Sequence, residues 1–239
     1  MIVIRKPGEI YQIEGEIQNG TFHGRWHFSF GDYYDPSFER FGALRVFNDD
    51  TLSPGAVWPL HPHQDNEVVT YCAGGEFRHA DERGKGGMLK KGWVQHTTVG
   101  RGMWHSEINN RPDEPMRFIQ MWFLPAKHGL DPSVEQKAIE QKDRTGLFLP
   151  LVSNTFPGAL RIVSDAAVSS SFLTSGQQVT RQLAENWGSY LYVLEGGPVL
   201  VNGKRATALS SFMITDEKKF TVRADQDTEL LLVEVRMDV

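Results

Sequence analysis

Two short stretches of the chain hold the residues best suited to chemistry. HPHQDNE, residues 61 to 67, sets His61 and His63 two apart with Glu67 four further on, and GMWHSEIN, residues 102 to 109, sets His105 and Glu107 two apart. In an extended strand, residues i and i+2 project from the same face. His61 and His63 therefore point one way, and Glu67 joins them if the strand continues. Two strands presenting such pairs inward converge on one ion through three imidazoles and one carboxylate, Glu67 or Glu107. Neutral nitrogen and hard oxygen donors without a thiolate suit Fe(II), Mn(II), Ni(II) or Cu(II) better than a closed structural zinc site, which favours Cys. On a six-coordinate ion, four protein ligands leave two positions open for a bidentate substrate, or for a substrate and dioxygen.

The elements that must position these residues are strands. Turn signals recur at Pro7-Gly8, Asn19-Gly20, Pro54-Gly55, Gly74-Gly75, Gly86-Gly87, Pro157-Gly158, Gly196-Gly197 and Asn202-Gly203. Between them lie strand-length runs such as ALRVF, EVVTYC, MRFIQMWFL, SYLYVL and TELLLVEVRM. With 12 prolines and 23 glycines spread through 239 residues, this is the pattern of an all-β sandwich or barrel. The helical expectation falls on Pro132 to Lys142, with Asp131 as N-cap, Pro132 in the first turn and alternating charges behind it. VVTYCAGGEF and SYLYVLEGGPV resemble each other faintly, as an internal repeat of about 120 residues would. We therefore divide the chain into a first domain over 1–130, a helical linker over 131–146 and a second domain over 147–239. All eight histidines precede the second domain, so a histidine metal site belongs to the first alone.

Composition narrows the function classes. A net charge of -5 offers no basic field for phosphates, which argues against direct nucleic-acid binding. No apolar run approaches the ~20 residues of a membrane span. The opening MIVIRKPGEIYQ has neither an apolar h-region nor a cleavage site. One cysteine, Cys72, makes no internal disulfide, and a reducing cytoplasmic setting is the expectation.

The spacing of the site residues is also that of a known motif. Gly55, five residues, His61-Pro-His63, three residues, Glu67, six residues and Gly74 resembles the first cupin motif. Gly102, two residues, His105, three residues and Asn109 resembles the latter part of the second, although its Pro is missing between Gly100 and Gly102. WHFSFGDYYDP, FGALRVFNDD, the PG before WPLHPH, EVVTY and VGRGMWHSEIN look like blocks of bacterial pirins over most of residues 23 to 125. That resemblance implies a bicupin: two antiparallel β-barrel (jelly-roll) domains face to face, with metal only in the N-terminal one. The ligands it implies are His61, His63, His105 and Glu107, so it prefers Glu107 over the Glu67 of cupins in general. Glu67 becomes a pocket carboxylate, bonded to a ligand or to bound water, and Glu67 or Glu107 takes up a substrate proton. The metal implied is one ion per chain, Fe(II) first, with Mn, Ni, Cu or Zn also compatible. The activity implied is quercetin 2,3-dioxygenase, acting on a flavonol with dioxygen and releasing carbon monoxide. The alternative is an iron-dependent regulatory protein that binds a metabolic enzyme or a transcription factor.

The chain departs from the pirin pattern around the implied pocket. Gln64 replaces an Arg after HPH, Ala73-Gly74-Gly75 replaces LEG, His79-Ala80-Asp81-Glu82 replaces HRDS, and Lys91-Gly92-Trp93 replaces PGD. None of these removes a ligand. His79 and His96 are further pocket candidates, while Gln95, Met103 and Trp104 border the second motif as packing or catalytic residues. Among Phe22, Trp26, Phe28, Phe30, Tyr33, Tyr34 and Phe38, one or two rings are expected to wall a flat substrate. Cys72, an odd step from the inward positions, is expected to face away from the metal.

Overall fold

Runs of β-branched and aromatic residues between the glycine and proline turns become strands along the whole chain, because such side chains fit a pleated surface buried on one or both faces. The structure, a computed structural model, describes every residue except 83 and 85. Four sheets form, two for each half of the sequence, and their ladders are antiparallel. In the first half, a seven-stranded sheet runs in the order Ser133–Lys137, Val94–Thr98, Glu67–Gly74, Met116–Phe123, Leu44–Leu52, Gly20–Trp26 and Tyr11–Ile17. It faces a four-stranded sheet ordered Val57–His63, Met103–Asn109, Glu76–Asp81 and Gly86–Lys90. In the second half, a six-stranded sheet runs Ile2–Arg5, Ser211–Ile214, Trp187–Glu195, Thr228–Arg236, Ala166–Leu173 and Leu149–Ser153. Its four-stranded partner is Gln178–Gln182, Lys219–Ala224, Val199–Val201 and Lys204–Ala206.

The two strand orders are the same apart from the outer edges, so the faint sequence repeat is a repeat of fold. VVTYCAGG and SYLYVLEGG occupy equivalent strands, and Tyr71 and Tyr192 are equivalent residues on them, both buried in the core between the large sheets. Gly75 closes the first of these turns at φ +66, where a Cβ would lie 2.4 Å from the carbonyl of Pro115. Only glycine fits there.

Two expectations are corrected. Pro132 to Lys142 is not a helix: Ser133–Lys137 is an edge strand paired with Val94–Thr98, and only Gln141–Arg144 forms a short 3-10 turn. The alternating charges serve a solvent-facing edge strand as well as a helix, and backbone bonding to the free edge of the first sheet outweighs a weak local propensity. The first domain also does not own all of residues 1–130. Ile2–Arg5 pairs with Ser211–Ile214 and forms the outer edge of the second domain's sheet. Among the described residues, no helix is long and apolar enough to cross a membrane.

Three large apolar clusters form the core, with a smaller one of Val68, Val99 and Met103 beside them. One lies within the first domain, around Leu52, Cys72, Phe77, Leu89 and Phe118, and a second within the second domain, around Leu191, Phe212, Phe220 and Leu232. The largest lies between the two large sheets, where Val69, Tyr71 and Met121 meet Tyr190, Tyr192, Leu231 and Val233. This interface also buries charge. Asp49 accepts two hydrogen bonds from Arg117, at 2.8 and 2.7 Å, and one from the hydroxyl of Tyr192 at 2.6 Å across the domain boundary. Tyr71 donates to Glu229, which Arg144 approaches at 3.2 Å, and His27 Nδ1 lies 2.7 Å from the hydroxyl of Tyr190.

Burial alone would raise the pKa values of Asp49 and Glu67, but hydrogen bonds hold both below the usual carboxylate range: Arg117 and Tyr192 for Asp49, His96, Ser164 and Val163 for Glu67. Their folded values therefore lie below their unfolded ones. The stability they contribute is complete above the ordinary carboxylate range and is lost as pH falls through the lowered folded values. The urea midpoint is expected to drop steeply below about pH 4, with a shallower drop in Glu67→Gln. Arg117→Met, which leaves Asp49 buried without its cation, is expected to cost about 3–5 kcal/mol in urea unfolding at pH 7.

Candidate metal centre

His61 and His105 stand directly opposite each other in the ladder between Val57–His63 and Met103–Asn109, and His63 stands opposite Met103. Beyond His105 the register slips, so that Glu107 lies opposite Trp58. The extra residue falls at Pro59-Leu60, where Pro59 has no amide hydrogen to give the ladder, and bulges of this kind re-aim side chains next to sites.

The three imidazoles converge. One ring nitrogen of each of His61, His63 and His105 lies within 4.8 Å of the other two, the only such group of histidines and acidic residues found among the described residues. His61 Nδ1 lies 2.8 Å from the carbonyl of Pro59; a carbonyl only accepts, so Nδ1 carries the hydrogen and Nε2 keeps its lone pair. That Nε2 is 3.1 Å from Nε2 of His105, whose Nδ1 is in turn 2.8 Å from His79 Nε2. The Nε2 of His63 is buried with no hydrogen-bond partner. Burial, followed by the neighbouring imidazoles, lowers the pKa of His63 to about 4 and of His105 to about 3. Both rings are therefore neutral at neutral pH, the form that ligates metal. Imidazoles facing nitrogen to nitrogen beside an orphaned buried nitrogen are what a divalent cation satisfies, so the residues present fit a metal.

Glu107 completes the arrangement at its edge. Its Oε1 is 3.9 Å from His105 Nε2 and accepts a 2.5 Å hydrogen bond from the side-chain amide of Gln120. Gln120 in turn accepts from Trp122 Nε1 at 2.8 Å, and the Trp122 ring stands edge-on to His63 with centroids 4.6 Å apart. This relay of Trp122, Gln120 and Glu107 fixes a buried carboxylate beside the histidines. The cavity in front holds about 80 Å³ and is lined by residues that include Phe30, Trp58, Phe118, Asn48 and Asp50. Burial pushes the Asp50 carboxyl up to about 8, against a hydrogen bond donated by Trp26, so Asp50 is largely protonated at neutral pH.

Glu67 is elsewhere, which corrects its placement in the pocket. The chain turns at Asp65 (φ +49) between Val57–His63 and Glu67–Gly74, and these strands belong to different sheets. On its strand Glu67 shares the face of Val69, Tyr71 and Ala73, which points at the second domain. There its oxygens accept from the backbone of Val163 at 2.9 Å and of Ser164 at 2.6 Å, and from the Ser164 hydroxyl, with His96 Nε2 at 3.4 Å. His96 thus serves Glu67, whereas His79 touches the cluster through His105. Cys72 also differs from expectation: it lies inside the first domain, in the apolar layer with Phe77 and Phe118. Of the N-terminal aromatics, Phe30 reaches the cavity and Tyr34 is exposed. Asn48, Asp50 and Gln120 were not anticipated. Their signal is a polar residue at alternate positions of otherwise buried strands, LRVFNDDTL and MRFIQMWF.

Comparison with known proteins decides the family. Residues 11–123 match the model of the pirin family, and residues 151–235 match that of the quercetinase C-terminal cupin domain. A pirin-like protein of Caulobacter vibrioides is 38% identical over 235 residues, covering 98% of this chain and 99% of that protein. The chain is a pirin. A quercetin 2,3-dioxygenase of Escherichia coli is 33% identical to this pirin over 236 residues, covering 98% of this chain and 99% of that protein. The crystal structure of the bacterial pirin YhhW from Escherichia coli in complex with nickel(II) superposes with a TM-score of 0.90 at 31% identity, covering 99% of each chain. The pirin is thus a two-domain cupin protein with a histidine cluster suited to a divalent metal.

Metal analysis after dialysis is expected to find one ion per chain, and none in His105→Ala. Removing a group that only orients a ligand typically costs ~10 to 100-fold in metal affinity. Glu107→Gln is expected to exceed that loss, while Glu67→Gln, which alters the domain interface, retains the metal; the opposite order would reassign the fourth ligand.

Proposed function

We propose that this pirin is a metal-dependent dioxygenase that opens the central ring of a flavonol such as quercetin. The carbon bearing the 3-hydroxyl leaves as carbon monoxide, and both atoms of dioxygen are retained in the ester product. The observation that carries the reading is three imidazoles converging beside a buried carboxylate, at the foot of a cavity walled by aromatic rings. His61, His63, His105 and Glu107 are the residues we assign to hold the metal, Fe(II) in this reading. A metal held by these residues would supply acidification of the flavonol hydroxyl and a meeting point for the electron-rich ring and dioxygen.

The protein side of the reaction falls to few groups. Glu107 is positioned by Gln120 to accept the hydroxyl proton. Glu67 cannot, since its oxygens are committed to Ser164 and Val163. Asp50, largely protonated, offers a hydrogen bond to an oxygen of the substrate. Phe30, Trp58 and Trp122 exclude water around the reacting edge. The relatives named quercetin 2,3-dioxygenase support the same chemistry.

A second reading is favoured by the size of the cavity, about 80 Å³, against the ~300 Å³ or more of ordinary ligand pockets. It admits the chelating edge of a flavonol and leaves the remaining rings at the mouth. Leu60 and Trp104, about half exposed, alternate with the histidines on the same strands. They therefore present an apolar outer face directly behind the ligands, where the state of the metal could alter binding of a protein partner, such as a metabolic enzyme or a transcription factor.

Turnover separates the two. Iron-loaded protein is expected to bleach the near-visible band of quercetin only in air, releasing carbon monoxide mole for mole, and His61→Ala is expected to lose both signals. Free iron oxidises flavonols slowly without matching carbon monoxide. If the loaded protein is no faster than that background, the dioxygenase reading fails for this substrate and partner binding becomes the better account.

A further inference from the structure

The second domain has a cavity in the same place as the metal cavity of the first. The correspondence follows from register. Tyr71 and Tyr192 are equivalent, so Val68 corresponds to Ser189, and their ladder partners Trp122 and Glu234 correspond in turn. Val46 beside Trp122 then corresponds to Ala167 beside Glu234, and Asn48 to Ser169. On the smaller sheets, Asn109 bonded to Ala56 corresponds to Ala224 bonded to Gln177, so Glu107 opposite Trp58 corresponds to Val222 opposite Val179 and, past the bulge, His105 opposite His61 to Phe220 opposite Arg181. The Glu107 position has become Val222 and the His105 position Phe220, while Arg181 at the His61 position forms an ion pair with Glu234 at the Trp122 position. Arg181 Nε and Nη2 bond the carboxylate of Glu234 at 2.6 to 3.1 Å, with Glu234 7% exposed.

The space has not closed with the loss of the ligands. A cavity of about 300 Å³ remains, lined by residues that include Arg181, Glu234, Ser169, Trp187 and Phe156. Its wall carries an unmet polar group: the Ser169 hydroxyl, in a residue 1% exposed, has no hydrogen-bond partner, and neither have those of Ser171 and Ser189 on the same inward face. A buried hydroxyl without a partner costs about 1–3 kcal/mol, which a ligand can recover.

We propose that this cavity is a metal-free binding site for an uncharged, hydroxylated single aromatic ring, a phenol in chemical class. The volume accommodates a substituted single ring. Arg181 and Glu234 already neutralise each other, so a charged ligand would leave net charge buried, whereas a phenolic hydroxyl can accept from Arg181 Nη1 and donate to Glu234 or Ser169. Trp187 and the half-exposed Phe156 supply faces for the ring.

The probe is 4-fluorophenol, which cannot chelate a metal, titrated into the metal-loaded full chain and followed by fluorine NMR. A saturable shift is expected, with a midpoint of roughly 1 mM for so small a molecule. It is expected to persist in His105→Ala, which places it outside the metal centre, and to weaken at least tenfold in Ser169→Leu, which fills the cavity. Phe156→Ala, at a half-exposed position, is expected to weaken it as well and serves if Ser169→Leu does not fold. Absence of saturation, loss of binding in His105→Ala, binding unaffected in both cavity variants, or preference for 4-fluorobenzoate over the phenol would each overturn the assignment.

Discussion

The large sheet of the first domain is buried on both faces, and the two-residue period of its strands decides which face each side chain serves. Along Leu44–Leu52, Asp49 turns outward to Arg117 and Tyr192 while Asn48 and Asp50 turn inward to the metal cavity. Along Met116–Phe123, Met121 packs against the second domain while Gln120 and Trp122 support Glu107 and His63. Domain interface and metal centre are thus two sides of one layer. A one-residue slip in any of these strands would exchange charge for chemistry.

The same period explains what could be read from the sequence. The pairs His61 with His63 and His105 with Glu107 were legible because each lies within a single strand, where spacing fixes direction, while the preference for Glu107 over Glu67 came from the resemblance to pirins. Glu67 was not legible, because its direction depends on whether the strand passes through Gln64, Asp65 and Asn66, and the chain turns there. Cys72 was misjudged through the same extrapolation, by counting across that turn. The fold class and the repeat were visible in turn spacing and in the paired double-glycine strands. The edge strands were not: Ser133–Lys137 and Ile2–Arg5 are defined by partners far away in sequence, and local pattern carries no record of them.

Electrostatically, the centre is built to be nearly uncharged before a metal arrives. His63 and His105 are neutral, Asp50 is largely protonated, and the Glu107 carboxylate lies 3.9 Å from His105. The domain interface a few residues away is the opposite case, where full charges are buried in matched pairs. Placing the compensated charges on one face leaves the other free to take up the charge of a cation without competing cations nearby.

The exchange of edge strands has a consequence for how the molecule comes into being. Ile2–Arg5 finds its partner at Ser211–Ile214, some two hundred residues later in synthesis. At ribosomal rates of ~5–20 residues per second, that strand waits on the order of ten seconds or more with its backbone unpaired. Meanwhile the first domain, including its histidine strands, has already been made, and its own edge closes when Ser133–Lys137 emerges. The metal centre can therefore assemble while the second domain is still incomplete, and the earliest strand of the chain is among the last to be fixed in place.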